Sequence, residues 1–257
     1  MLPELRSSAA EIKKRLGPTA IPVGVKLAAA ARELNEVPEV RILTSTTPCH
    51  MVSAARHDRD DPVVGASSQA TKCVWGAACL GLIRTPRRLA DGDLNLPFVK
   101  DGEAARRLHQ GMCMLGDEGA RFAGAIVGPL ERMPVPPDVV VMYLTSAQVL
   151  RVIIAFAYAR GEAVICTMTG QASLCSAIAR AVKDGLVTVD VPCIGDRAYG
   201  MVQEHELVIA FPAHRLGELV RGLEGTERAA PYPYGPFTRW SAILPHSFEP
   251  RFTELDG

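Results

Sequence analysis

The stretch DVVVMYLTSAQVLRVIIAFAYAR, residues 138–160, carries two local periods in succession. An acidic residue opens a run of five apolar positions, short and β-branched enough for a buried strand. Thr145-Ser146-Ala147-Gln148 then has the form of a capping box, which fixes where a helix starts. Beyond it Leu150, Ile153, Ile154 and Ala157 recur at i, i+3, i+4 and i+7, the spacing of a core-facing stripe. The helix is apolar almost all round, so deep burial is expected. The same order returns in ELVIAFPAHRLGELVRGL, residues 206–223, where Leu216, Leu219, Val220 and Leu223 form the stripe.

Working outward, VRIL (40–43) reads as a strand, followed by a helix opening at Cys49 in PCHMVSAAR. EAVICTM (162–168) reads as a strand followed by a helix opening at Cys175 in CSAIAR. A second cysteine beside glycine comes next in each half, Cys73 in CVWGA and Cys193 in CIGDR. Each half is then strand, Cys-led helix, Cys-Gly turn, strand, helix, the mark of a duplication. The first half is longer by about 60 residues, which fall mainly between 80 and 135. They include the loop TPRRLADGD, a helix near 102–115 and the apolar segment FAGAIVGPLE. An N-terminal helix and a strand in AIPVGVKLA (20–28) precede the first repeat. The tail from 229 to 252, rich in proline and aromatics, suits packing along a surface, its own or that of a second copy in a homo-oligomer.

The expected fold is therefore α/β, or α+β with a mixed sheet, built from two fused unequal strand–helix repeats in one compact unit. Its divisions are residues 1–161 with the N-terminal helix, first repeat and insertion, 162–225 with the second repeat, and 226–257 with the tail.

Composition narrows the function. Lysine plus arginine equals aspartate plus glutamate, 28 against 28, so no basic surface calls for nucleic acid or anionic lipid. No apolar run approaches the roughly 20 residues that cross a bilayer. MLPELRSSAAEIKKRLG alternates charged and apolar residues and lacks the apolar core of a signal peptide. A cytoplasmic protein with reduced thiols is expected. Seven cysteines then point to ligands or packing and not to a disulfide framework.

The internal order pairs Cys49 with Cys175 and Cys73 with Cys193. If the halves meet about a pseudo-twofold axis, four thiols converge, three of them at helix starts where dipole and free N–H groups favour thiolate. Arg197, four residues after Cys193, would add positive charge. Four thiolates at one point repel unless a metal or cluster neutralises them, and iron–sulfur clusters and zinc are the usual occupants. Paired C-x₂₋₄-C ligands of zinc knuckles are absent, as are the C-x₂-C-x₂-C run of ferredoxins and the C-x-x-C-H of covalent haem. Ligands would have to come from separate elements of a preformed fold. Packing is the commoner fate of a single free cysteine, and it accounts for Cys79, for Cys166 in its expected strand, and for Cys113 in a helix interior.

Other chemistry finds less support. No H-E-x-x-H, G-x-S-x-G, Walker loop or G-x-G-x-x-G occurs. His50 reads as a solvated helix-start residue and Lys26 as a strand-end lysine that snorkels to water. Glu131, and Asp196 with Arg197, read as ordinary ion pairs in preference to catalytic groups.

The segments IPVGVKL, PCHMVSAAR, KCVWGAACLGL, GPLERMPVPPDVVVMYLTSAQ, GQASLCSAIA and VPCIGDRAYG run in order from about residue 20 to 224. In this the chain resembles an archaeal and bacterial family known only as domain of unknown function number one hundred and sixty-nine. The resemblance implies cysteines at Cys49, Cys73, Cys175 and Cys193 and a recurring arginine at Arg197. The family usually carries Cys-x-Gly-Gly where this chain has Cys73-Val74-Trp75-Gly76, and an acidic stretch where it has QEHEL. The family's frequent occurrence in anaerobes fits an oxygen-sensitive cofactor.

The leading expectation is an iron–sulfur cluster, of the four-iron type, ligated by Cys49, Cys73, Cys175 and Cys193. It would serve redox chemistry or cluster-assisted catalysis, as an oxidoreductase or lyase acting on a small molecule or with an electron-transfer partner. Arg197 would offset cluster charge or hold an anionic substrate, and Gln148 and Gln171 would orient that substrate. The rivals are a non-catalytic carrier of a tetrapyrrole or soft metal, a thiol enzyme with one low-pKa cysteine, and a structural protein with buried thiols and no cofactor.

Overall fold

The computed structural model describes residues 2–58, 60, 62–230 and 232, so the expected interface tail lies outside the described residues from 233 onward. Strands β1 (Val23–Ala28), β2 (Arg41–Leu43), β3 (Val64–Ser67), β4 (Gly124–Pro129), β5 (Val139–Thr145), β6 (Thr188–Asp190) and β7 (Glu206–Pro212) form one sheet. Its order is β2-β3-β4-β1-β5-β7-β6. β2 and β3 are parallel and the other neighbours antiparallel, which makes the mixed α/β architecture expected from the sequence.

Helices cover both faces. α1 (Leu2–Leu16), α7 (Ser146–Arg160) and α10 (Leu216–Gly225) lie on one face, over Ile126, Val140, Met142, Leu144, Ile209 and Phe211. α3 (Pro48–His57) and α8 (Ser173–Asp184) lie on the other, over Val25, Val127, Val141, Tyr143, Val208 and Ala210. Successive residues of β5 thus enter opposite cores, which is why its sequence is continuously apolar. The short helices α2 (Arg32–Asn35), α4 (Val74–Cys79), α5 (Arg87–Ala90), α6 (Gly102–Gln110) and α9 (Ile194–Gly200) complete the chain, with α9 packed on α3 and α4 on α8. No helix among the described residues is long and apolar enough to cross a membrane.

The capping box forms as read: the Thr145 side chain accepts from the Gln148 backbone, and the Gln148 side chain accepts from Thr145 N at 2.8 Å. The stripe beyond it is displaced. α7 buries Gln148, Val149, Arg151, Val152, Ala155 and Phe156, and leaves Leu150 47% exposed and Tyr158 58% exposed, so the helix is not buried all round. Two polar side chains belong to the inner face because each has partners there. Gln148 Nε2 donates to Leu16 O, and Arg151 donates to Thr226 Oγ1 and Leu223 O.

EAVICTM is not a strand. The free edge of β7 is taken by β6, paired from Thr188↔Ala210 to Asp190↔Val208. The segment instead runs beside that edge, where Cys166 Sγ accepts from Val189 N at 3.2 Å. The expected repeat is therefore not confirmed in the alignment that suggested it. β5 and β7, matched there, are hydrogen-bonded neighbours, and the second Cys-led helix has no strand before it.

The ladders show another correspondence. Val23↔Pro129 and Val25↔Val127 on one side have the register of Val139↔Pro212 and Val141↔Ala210 on the other. Val64↔Val127 likewise matches Thr188↔Ala210. β1 and β5 pair antiparallel about Gly24↔Val140, and an approximate twofold through that pair exchanges β1 with β5, β4 with β7 and β3 with β6. In chain order α3–β3–α4 then stands opposite α8–β6–α9. Those four helices begin at or near Cys49, Cys73, Cys175 and Cys193.

Candidate functional site

Each cysteine is placed by the start of its helix. Thr47 caps α3 through His50 N, and Pro48 follows at the first position, where its missing N–H costs nothing, so Cys49 comes second. Cys73 and Cys193 are themselves the residues before α4 and α9, and Cys175 lies in the first turn of α8. Because α3 meets α9 and α8, and α4 meets α8, the four helix starts are brought near one another, with Cys49 in the core over one sheet face.

Shared neighbours define how close they come. The Cys49 thiol is in hydrogen-bond reach of both Cys175 and the Asp196 carboxylate. A Cβ on Gly195 would stand 3.6 Å from Cys193 Sγ and 3.8 Å from Cys49 Sγ. A Cβ on Gly76 would meet Pro48 at 2.8 Å and Cys175 Sγ at 3.3 Å. Gly76 N donates to Cys73 Sγ at 3.4 Å. Glycine at 76 and 195 thus keeps room beside the sulfurs, and no larger residue fits at 76 without moving Pro48.

The expected thiolates are not there. Burial pushes the Cys193 thiol up to about 12, with the Asp196 carboxylate adding to it. Cys175 also reaches about 12: the hydrogen bond from Cys49 favours its thiolate but is outweighed by burial and the neighbouring sulfurs. Cys49 is raised well above its ordinary value by donating to Cys175 and by burial, and Cys73 is raised by burial. Helix-start N–H groups do act in the other direction on Cys73, but desolvation is the larger effect. As free thiols, all four are neutral at pH 7.

The chain matches the family DUF169, described as uncharacterised ArCR, over residues 11–222. It belongs to this family. An uncharacterized protein of Methanocaldococcus jannaschii, MJ0308, is 29% identical over 206 residues, which cover 79% of this chain and 86% of that one. No solved structure matches the chain.

Within this DUF169 chain the other expected site residues are engaged in contacts of their own. Arg197 is exposed on α9 and donates to Gln203 O at 3.1 Å. Gln148 is committed to its cap and to Leu16 O, just beyond the Thr145 end of β5. Gln171 precedes α8, its backbone folded onto Thr169 Oγ1. His50 is exposed with Thr46 Oγ1 3.1 Å from its Nδ1, as expected of a solvated helix-start residue. Lys26 pairs with Asp138 at 3.0 Å and Glu131 with Lys13 at 2.5 Å, ordinary ion pairs. Cys79 packs inside α4, whereas Cys113 follows α6 in a loop and is no helix interior, its N–H donating to Ser176 Oγ at 2.9 Å. Among the described residues no three Cys, His or carboxylate groups stand at the spacing of a single metal ion.

Two residues beside the cysteines have partners that the sequence does not show. Asp196 is fully buried; its carboxylate accepts from Tyr143 OH at 2.9 Å and from Cys193 N at 3.2 Å. The sequence suggested an ion pair with Arg197, but consecutive helix residues point apart. Tyr143 sits in an apolar strand, where its hydroxyl is the one sign of a polar task.

A second carboxylate gives a test of the local electrostatics. Asp190, at the end of β6, is buried, and desolvation raises it from 3.8 to about 6 despite its hydrogen bond from Val191 N. A carboxyl raised in the folded state contributes stability below its unfolded pKa of 3.8 and loses it as pH climbs through about 6. Asp190→Asn keeps the acceptor for Val191 N and removes the charge. The variant should be more stable than the parent by about 1–2 kcal/mol at pH 8, with the difference gone near pH 4. Urea unfolding at the two pH values measures it; an equal difference at both would assign the effect to packing.

Proposed function

We propose that this protein holds an iron–sulfur cluster, of the four-iron type, on Cys49, Cys73, Cys175 and Cys193, and uses it for redox chemistry or cluster-assisted catalysis on a small molecule in a reducing cytoplasm. The observation that carries the reading is the approach of four cysteines from four helix starts, Cys49 and Cys175 buried and Cys73 and Cys193 half-buried beside them. The donor set suits the group: four soft sulfurs, a backbone N–H directed at Cys73 Sγ, and glycines at 76 and 195 that leave space beside the sulfurs. When bound, such a cluster would give or take one electron, at a potential set by burial and hydrogen bonds to sulfur.

The chain's own groups then have definite tasks. Neutral thiols must give up protons for any metal to load, so loading is favoured as pH rises. Asp196, within reach of the Cys49 thiol and held by Tyr143 and Cys193 N, is the acceptor placed for one of those protons. A metal-free nucleophilic cysteine is disfavoured by the same facts, since nucleophilic thiols require depressed pKa values. The test is anaerobic purification with iron, zinc and acid-labile sulfide analysis beside an absorption spectrum. Near-equal iron and sulfide with broad brown absorbance is expected. A colourless protein free of iron would end the proposal, and zinc without sulfide would replace the cluster with a single-ion site.

A further inference from the structure

Residues 161–172, between α7 and α8, form neither helix nor strand, yet the middle of the segment has the side-chain alternation of a strand. Val164 and Cys166 are half-buried against the core under α7, whereas Ala163, Ile165 and Thr167 are exposed. From Glu162 to Met168 no backbone N–H or C=O makes a hydrogen bond among the described residues. Towards β6 a side chain stands where a ladder would form, since Val189 N donates to Cys166 Sγ. Ile165 is 81% exposed and Met168 52%. Exposed sheet edges are ordinarily guarded by lysine, proline or a covering element, and AVICT, residues 163–167, carries neither charge nor proline.

We infer that residues 162–168 pair with the same segment of a second copy of this chain, antiparallel about Ile165, in a twofold dimer. The inference goes beyond the cluster and does not rest on it. Charge selects the partner and its direction. Glu162 is the only charged residue from 161 to 172, and antiparallel pairing about Ile165 sets it opposite Met168 of the second copy. Parallel pairing in register would set Glu162 on Glu162, and like charges directly opposite destabilise a sheet. The dyad at Ile165 also brings the whole of 162–168 into register at once, with the two isoleucines covering each other at the centre. Val164, Ile165 and Thr167 are β-branched and suit the paired state. The chain's own C-terminal residues start from elsewhere. Thr226 is bonded to Arg151 in the first half of α7 and Glu227 to Arg15 of α1, whereas 162–168 follow the far end of α7.

The experiment is sedimentation velocity of the full chain from nanomolar to high micromolar concentration, under reductant so that no Cys166 disulfide links two copies, with hydrogen exchange read at both ends of the range. A dimer at micromolar concentration is expected, with amides between 162 and 168 exchanging more slowly in it than in the monomer. Ile165→Lys and Ile165→Asp each bring two like charges together on the dyad and should weaken the dimer about tenfold or more. Ile165→Val should keep it. Because the side chain is so exposed, the monomers should keep the circular dichroism of the parent. An equimolar mixture of the Lys and Asp variants should recover the dimer, since the dyad then joins opposite charges. A monomer at every concentration would overturn the inference; protection of 162–168 in that monomer would show that the same chain covers them. A dimer indifferent to both charged variants, or no recovery in their mixture, would overturn it equally by placing the interface elsewhere.

Discussion

Gly222→Ala should destabilise the protein by about 3 kcal/mol, at the upper end of what overpacking costs, although it replaces glycine with the best helix former. Gly222 lies within α10 where that helix crosses α7. A Cβ there would stand 1.9 Å from Ala155 O and 2.5 Å from its carbonyl carbon. Those are backbone atoms of a long helix, so no rotamer change relieves the contact; the helices must separate and open the core around Leu219 and Phe156. Gly217, in the first turn of the same helix, is the control. The nearest atom to its Cβ would be Arg221 Nη1 at 3.2 Å, the far end of a flexible side chain. Gly217→Ala should therefore be neutral or stabilise by up to about 1 kcal/mol through helix propensity. Urea unfolding of the two variants decides it: equal stabilities would mean that α7 and α10 are not in close contact.

The same crossing explains why part of the fold was readable and part was not. β5 and β7 were found because each is buried on both faces and so writes an unbroken apolar run. β3, with VGAS, and β6, with TVD, carry no such run; they are strands only because β4 and β7 offer them an edge. EAVICTM has the composition of a strand and lost that edge to β6. On α7 the apolar count pointed to Leu150, yet the buried face includes Gln148 and Arg151, which periodicity assigns to water. Their partners, Leu16 O, Leu223 O and Thr226 Oγ1, are distant in sequence, so nothing local announces them.

The site divides in the same way. The order of the four cysteines along the chain is legible in the sequence, whereas the strand-for-strand alignment that pairs them is not confirmed, because EAVICTM forms no strand. Their protonation was misjudged, since helix starts can be read from sequence but the depth of burial over the sheet cannot. Asp196 and Tyr143 are 53 positions apart and meet only through the packing of α9 on α3, itself lying across the sheet. Sites assembled from several element ends are visible only when the ends are brought together.

Cys175→Ser bears most directly on what that assembly is for, and it should remove at least nine-tenths of the bound iron, a loss of about tenfold or more. Cys175 is the most enclosed of the four, with Cys49 hydrogen-bonded to it and the Gly76 backbone against it. Serine has nearly the same shape, so the replacement leaves Gly76 and Pro48 undisturbed. It exchanges a soft donor for a hard one, which iron and sulfide clusters hold poorly. The hydroxyl can still accept from Cys49, so the metal-free variant should unfold within about 1 kcal/mol of the metal-free parent. Loss of iron with stability kept is the signature of a ligand; loss of both would mark a packing residue. Cys166→Ser is the comparison, because its sulfur accepts from Val189 N and a hydroxyl does the same, so iron should remain. Full iron and colour in Cys175→Ser would remove Cys175 from the ligand set. The fourth iron would then need another donor, and the ligand set proposed here would be wrong.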